Sequence, residues 1–123
     1  PKCAIITRPG VPSRRGEVHE IEFLLKQKFS NIEAIEAPGT IEGGDIMMIG
    51  DHYYIGLSER TNLEGAKQII QILKKYGMSG STISLKKILH LKTSLSYLEK
   101  NNLVVSGEFI NDSSLGQYNS IEI

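Results

Sequence analysis

Three short stretches carry side chains suited to acid–base chemistry. They are Glu42-Gly43-Gly44-Asp45, Arg60 within Leu57-Ser58-Glu59-Arg60-Thr61-Asn62, and His90 within Leu89-His90-Leu91-Lys92-Thr93. Each sits at the end of an apolar, strand-like run. A carboxylate beside an imidazole fixes its tautomer and raises its basicity, as general acid–base catalysis requires. An arginine offers a planar fork for bidentate capture of a carboxylate. Together, an acid, a cation and an imidazole look like most of an active site for guanidino chemistry. Such chemistry usually needs a cysteine nucleophile, and the single cysteine is Cys3, near the start of the chain. The sequence reads as the middle of an enzyme.

The elements that must position these residues follow from periodicity. Cys3 to Thr7 is a short apolar run, read as a buried strand. Arg8-Pro9-Gly10-Val11-Pro12-Ser13 breaks it. From Arg14 to about Phe29 the period is helical, with Val18, Ile21, Leu24 and Leu25 on one face. Ile32 to Ala37 reads as a strand and Pro38-Gly39 as a turn. Ile46 to Ile49, Gly50-Asp51 and Tyr53 to Leu57 make a β-hairpin. Thr61 then caps a helix, with Glu64 completing a capping box. Ile69, Ile70, Leu73 and Tyr76 form the apolar face of that helix, and Gly77 ends it. Ser81 to Leu85 is a strand. Leu91 to Leu98, the Lys100-Asn101-Asn102 turn and Leu103-Val104-Val105 begin a third cycle, which stops before any helix. Residues 111–123 are polar, without a clear period, and read as a tail.

The unit is hairpin, helix, strand, repeated over approximately 1–40, 41–88 and 89–110. Aligning the repeats sets Arg14 opposite Arg60, each just before a helix. It also sets Glu42 opposite His90, each just before a hairpin. A fixed period in the tens of residues marks a repeat architecture such as a propeller. Propellers are closed rings, so an open set of repeats implies an incomplete one. Symmetry-related ends meet around a pseudo-axis, which would bring Glu42 to His90 and both arginines to one cavity.

In isolation each residue has a plainer reading. His90 reads as a packed structural histidine, Gly43-Gly44 as a turn, and Arg60 as a charge flanking a helix. His19 and His52 read as solvated, and Cys3 as a small core residue. The histidines lack ligand spacing, so no metal is expected.

The bulk composition narrows the classes. The chain has 123 residues, 40% hydrophobic and 23% charged, as in one ordinary soluble domain. Lys+Arg and Asp+Glu are both 14. A neutral chain without a basic run argues against nucleic acid as a partner. No apolar run approaches the roughly 20 residues of a membrane helix. One cysteine and no signal-peptide pattern suit a cytoplasmic protein.

Four ordered motifs carry a resemblance. They are Ile6 to Glu17 (with Arg8-Pro9-Gly10 and Ser13-Arg14-Arg15-Gly16), Ile41 to Asp45, Tyr54 to Gly65, and Leu89 to Thr93. Over roughly residues 5–106 the chain resembles dimethylarginine dimethylaminohydrolases, of the amidinotransferase or pentein superfamily, with arginine deiminase as a relative. The resemblance implies an α/β fold of ββαβ repeats, a pentein-type α/β propeller with about two of its five units in this chain. It implies that Glu42 is the acid that orients the catalytic histidine and that His90 is that histidine. It implies that Arg14 and Arg60 hold the α-carboxylate of a small arginine derivative. The implied reaction is attack of a cysteine thiolate on the guanidinium carbon of methylated arginine. His90 then protonates the departing methylamine and activates water, releasing citrulline, with no cofactor. Nothing here matches the family's nucleophile, which lies near the end of a chain about twice as long.

Two further expectations stand beside this one. One is an arginine deiminase-like hydrolase acting on free arginine. The other is a non-catalytic binding module in which Arg14 and Arg60 hold a carboxylate ligand. An open arc of repeats also exposes unpaired edges, so self-association, or docking to the remainder of the same polypeptide, is expected.

Overall fold

The computed structural model describes residues 2–123. β1 (Ala4–Ile6) and β2 (Ile32–Ala34) pair in parallel, with α1 (Glu17–Lys28) as the crossover. A 3-10 turn at Pro12–Arg14 precedes α1, with proline where a missing N–H does no harm. α1 buries none of its residues. Of the expected apolar face, Val18 and Leu25 are half-buried, but Ile21 and Leu24 are exposed. A two-stranded sheet offers a floor too narrow for the full stripe.

The second sheet has the order β3–β4–β5. β3 (Ile46–Ile49) and β4 (His52–Leu57) are antiparallel across a turn in which Gly50 takes a left-handed conformation. α2 (Leu63–Lys75) returns the chain, and β5 (Ser79–Ser84) pairs with β4 in parallel. His52, expected to be solvated, begins β4 and is half-buried, and its ring bonds the Ser79 and Ser81 hydroxyls.

The third sheet repeats this order of directions. β6 (Leu95–Tyr97) is antiparallel to β7 (Asn102–Val105), and β8 (Asn119–Glu122) is parallel to β7. Two 3-10 turns, Gly107–Phe109 and Ser113–Leu115, form the crossover in place of a helix. This corrects the expectation of a polar tail over 111–123. Leu115 is buried, Tyr118 shares a 2.8 Å hydrogen bond with Tyr54, and β8 completes the sheet. All four β8 residues are exposed, so no alternation marks the strand in the sequence. Burial, helped by the bond to Tyr118, pushes the Tyr54 hydroxyl up to about 12.

Two apolar clusters flank the residues of interest. One packs Ile35, Ile41 and Ile55 under α2, against Ala66, Ile69 and Leu73. The other joins the second and third sheets through Met47, Tyr54, Leu91, Leu95 and Leu103. Ile41 and Leu91 are fully buried. Each such side chain contributes roughly 1.5–3 kcal/mol. Ile41 precedes Glu42 and Leu91 follows His90, so both polar residues leave from points fixed in the core.

α2 is capped by Asn62, not Thr61. Asn62 Oδ1 accepts from the Gly65 N–H at 2.8 Å and the Thr40 N–H at 2.9 Å, and Nδ2 donates to the Pro38 carbonyl at 2.8 Å. Thr61 is instead drawn inward and buried. The asparagine thus fastens the segment leading into Glu42 to the start of α2. Asn62→Ala is expected to destabilise the fold by about 2 kcal/mol, from the lost cap and the orphaned Thr40 N–H. Urea unfolding measures this, and a change under about 0.5 kcal/mol would show that the segment is held by other contacts.

Candidate active site

Glu42 and His90 occupy matching places. Each is extended (φ −118°, ψ 141° and φ −138°, ψ 150°), and each precedes a 3-10 turn, Gly43–Asp45 or Leu91–Thr93. Each turn opens into the first strand of a hairpin. The core between the second and third sheets packs the two turns together, which brings Glu42 Oε2 to 3.5 Å from His90 Nε2. Gly44 makes this approach possible, since a Cβ there would stand 2.9 Å from His90 Cγ.

The other face of the imidazole meets a second carboxylate. Asp45 is fully buried. Its Oδ1 accepts from the Leu91 N–H at 3.0 Å and lies 3.2 Å from His90 Nδ1. Its Oδ2 accepts from the Ser58 hydroxyl at 2.7 Å and the Thr61 hydroxyl at 2.6 Å. A carboxylate has about four lone-pair positions, and all are used. This is why a charge tolerates full burial here. Thr61 Oγ1 also accepts from the Glu42 N–H at 3.1 Å, and Ser58 Oγ accepts from the N–H groups of Arg60 and Thr61. Sequence reasoning placed Asp45 in the motif without giving it a role, and read Thr61 only as a cap. The signal available was a pair of hydroxyls three positions apart, Ser58 and Thr61, in the stretch that carries Arg60.

A depression of ≈ 300 Å³ opens beside the pair, lined by Glu42, Gly43, Gly44, His90 and Arg14, with Thr7 and Pro9 opposite. Arg14 reaches it from the turn before α1. Its guanidinium is exposed and pairs with Glu17 at 3.3 Å, a bond that raises the already high pKa of the arginine. Arg60 is not among the lining residues. Its backbone packs against Gly10, where a Cβ would stand 2.6 Å from the Arg60 carbonyl oxygen. The loop that carries Arg14 therefore rests on Arg60, but the two guanidinium groups do not share the depression. Among the described residues, the Arg60 guanidinium makes no hydrogen bond or ion pair. Cys3 lines a separate hollow with Lys2, Ile5 and Tyr53, and burial chiefly raises its thiol pKa. A larger hollow of ≈ 550 Å³ lies between Leu57–Glu59 and residues 85–89. It holds two lysines and a glutamate but no imidazole.

One buried atom near the depression is unsatisfied. Glu42 Oε1 has no hydrogen-bond partner among the described residues. A buried acceptor of this kind carries a desolvation penalty of about 1–3 kcal/mol until a donor reaches it. No group of three or more His, Cys, Asp or Glu among the described residues could hold a metal. No helix among them is long and apolar enough to cross a membrane.

The family model for arginine deiminase matches residues 5–122. The chain belongs to the arginine deiminase family. Within that family it is similar to the N(G),N(G)-dimethylarginine dimethylaminohydrolase of Pseudomonas aeruginosa, at 58% identity over 123 residues, covering 99% of this chain and 48% of the relative. The enzyme of the same name from Streptomyces coelicolor is 34% identical over 101 residues, covering 82% of this chain and 39% of the relative. A solved structure of the Pseudomonas aeruginosa enzyme, a cysteine-to-serine variant complexed with citrulline, superposes with a TM-score of 0.95 over 99% of this chain and 48% of its own. The mixed α/β fold is therefore that of this enzyme group. The chain spans about half the length of the curated relatives it matches or less.

Proposed function

We propose that the chain carries the acid–imidazole half of a site that hydrolyses methylated arginine to citrulline and an amine. The observation that supports this most is the pairing of His90 Nε2 with Glu42 Oε2 at 3.5 Å, at the wall of a depression that Arg14 also lines. In this reading a cysteine thiolate adds to the guanidinium carbon. The C–N bond to the methylated nitrogen breaks, and His90 supplies the proton that the leaving amine takes. The imidazole, returned to its neutral form, then takes a proton from water. The hydroxide adds to the same carbon, the C–S bond breaks, and the hydroxyl proton passes through solvent to the released amine, leaving citrulline and the thiolate. Glu42 balances the charge that His90 gains. Its unsatisfied Oε1 awaits an N–H donor, which a guanidinium provides. Arg14 holds the substrate's α-carboxylate, and Arg60, whose backbone supports the loop that carries Arg14, is the second arginine assigned to it.

Cys3 lies in another hollow, so the thiolate in this reading comes from outside these 123 residues. The chain alone would then bind ligand without turnover. The whole assembly would be a five-unit α/β propeller in which this chain forms about two units. The relative's complex with citrulline supports the product. The family model's own description keeps free arginine as a second substrate reading.

The test supplies dimethylarginine and arginine separately to the protein that carries these residues and measures citrulline. Turnover of dimethylarginine at least about tenfold faster in kcat/KM is expected, a difference of about 1.4 kcal/mol in transition-state binding. Equal or reversed rates would overturn the substrate assignment.

A further inference from the structure

The reaction proposed above uses one face of His90, and the other face is held by a group that reaction does not employ. Asp45 is fully buried, three residues after Glu42, and its four acceptor positions meet four donors. Two of these belong to consecutive residues, His90 and Leu91, so the carboxylate grips the ring and the backbone that carries it. A carboxylate is acceptor-only. His90 Nδ1 must therefore present its hydrogen to Oδ1, and in the neutral ring the free lone pair lies on Nε2, facing Glu42 and the depression. The remaining donors spread this control further. Thr61 passes from Asp45 Oδ2 to the Glu42 N–H, and Ser58 passes from the same oxygen to the Arg60 N–H.

We propose that Asp45 is a positioning residue for this reaction: its buried carboxylate selects the tautomer and direction of the His90 ring, and through Thr61 and Ser58 sets the backbones of Glu42 and Arg60 from the same point. The proposal rests on the catalytic reading of His90. A neutral imidazole left to itself divides between tautomers, and only the one with Nε2 unprotonated has its basic nitrogen on the substrate side. Swapping the acid behind a catalytic histidine for its amide is known to hold geometry while misplacing the proton.

Asp45→Asn is nearly isosteric, and neither orientation of the amide suits the site. With its oxygen toward His90, its NH2 meets two hydroxyls already accepting from backbone N–H groups. With its NH2 toward His90, it faces the Leu91 N–H and favours the opposite tautomer. Ser58→Ala is the comparison variant, because it loosens the same network while leaving a carboxylate behind the ring.

The experiment uses the protein that carries these residues and reads two quantities. Imidazole 15N resonances, assigned by loss in His90→Ala, report the tautomer at a pH where the ring is neutral. Steady-state kinetics with dimethylarginine report kcat and KM. The wild-type ring is expected in the Nδ1–H form. Asp45→Asn is expected to move it toward Nε2–H and to lower kcat on the order of 10²–10⁴-fold, with KM within about threefold. Ser58→Ala is expected to keep the Nδ1–H form and to lose less than about tenfold in kcat. An Nε2–H ring in the wild type overturns the proposal whether or not Asp45→Asn folds. Equal loss of kcat in the two variants, at matched unfolding free energy, overturns it in favour of a structural role. A wild-type protein with the Nδ1–H ring but no citrulline release would overturn the catalytic reading and leave the tautomer assignment standing.

Discussion

Replacing His90 with alanine is expected to lower citrulline release by the protein that carries it about 10²–10⁴-fold, the range for loss of a positioned acid–base group. The fall should be in kcat, since the ring moves a proton in the transition state and adds little to ground-state binding. Stability should change by no more than about 1 kcal/mol. The ring is one of four donors to Asp45, and the other three remain, including the Leu91 N–H that fixes the backbone. Leu91 itself is fully buried next door and still anchors the turn. Paired rate and urea-unfolding measurements make the test. Activity within about tenfold of wild type, in a folded protein, would remove His90 from the proton-transfer role. A loss matched by collapse of the fold would recast it as a packing residue.

Gly65→Ala should produce a large loss of stability, since an added Cβ meets a closer obstacle here than at any other glycine. A Cβ at this position would stand 2.2 Å from the Thr40 carbonyl oxygen and 2.9 Å from Ile41 Cγ1. Alanine is ordinarily better in a helix by about 1 kcal/mol, so the sign of the result is informative. The obstacle is backbone, which cannot swing aside as a side chain does. The first turn of α2 and the Thr40 segment would have to part, straining the Asn62 bonds that bind them. Overpacking of this kind costs about 1–3 kcal/mol, and breaking the cap adds roughly 1 more. A net loss of about 2–3 kcal/mol is expected in denaturant unfolding. Because Glu42 lies two residues beyond Thr40, kcat should fall as well. A stabilised variant would mean that the helix start and the Thr40 segment are not locked together.

Much of the fold is legible in the residues because local pattern and tertiary need agree. The Ile46–Ile49 and His52–Leu57 hairpin announces itself through Gly50-Asp51 between apolar runs. α2 combines a polar cap with Ile69 and Leu73 one turn apart, and both are buried. The repeat leads to the expectation that Glu42 and His90 meet, and their side chains stand 3.5 Å apart. What stays hidden is of three kinds. β8 is a polar edge strand held by backbone bonds to β7, and such bonds leave no trace in side-chain type. Asp45 is buried by satisfaction rather than by hydrophobicity, its donors coming from positions 58, 61, 90 and 91. No window on the sequence brings those four together. Arg60 shows a third limit: its place before a helix is readable, while the direction of its guanidinium depends on long flexible torsions.

The buried aspartate has a consequence for how the molecule assembles. It bonds Leu91 across a separation of 46 residues, and the donor and the acceptor stand at the heads of two different sheets. Closing so long a loop is entropically unfavourable on its own, so neither unit gains these bonds until the apolar surfaces between them have met. The acid and the imidazole consequently do not exist as a pair in any locally folded intermediate. A population that has formed its hairpins but not docked them would be chemically blank, and the site would appear only as the two sheets dock.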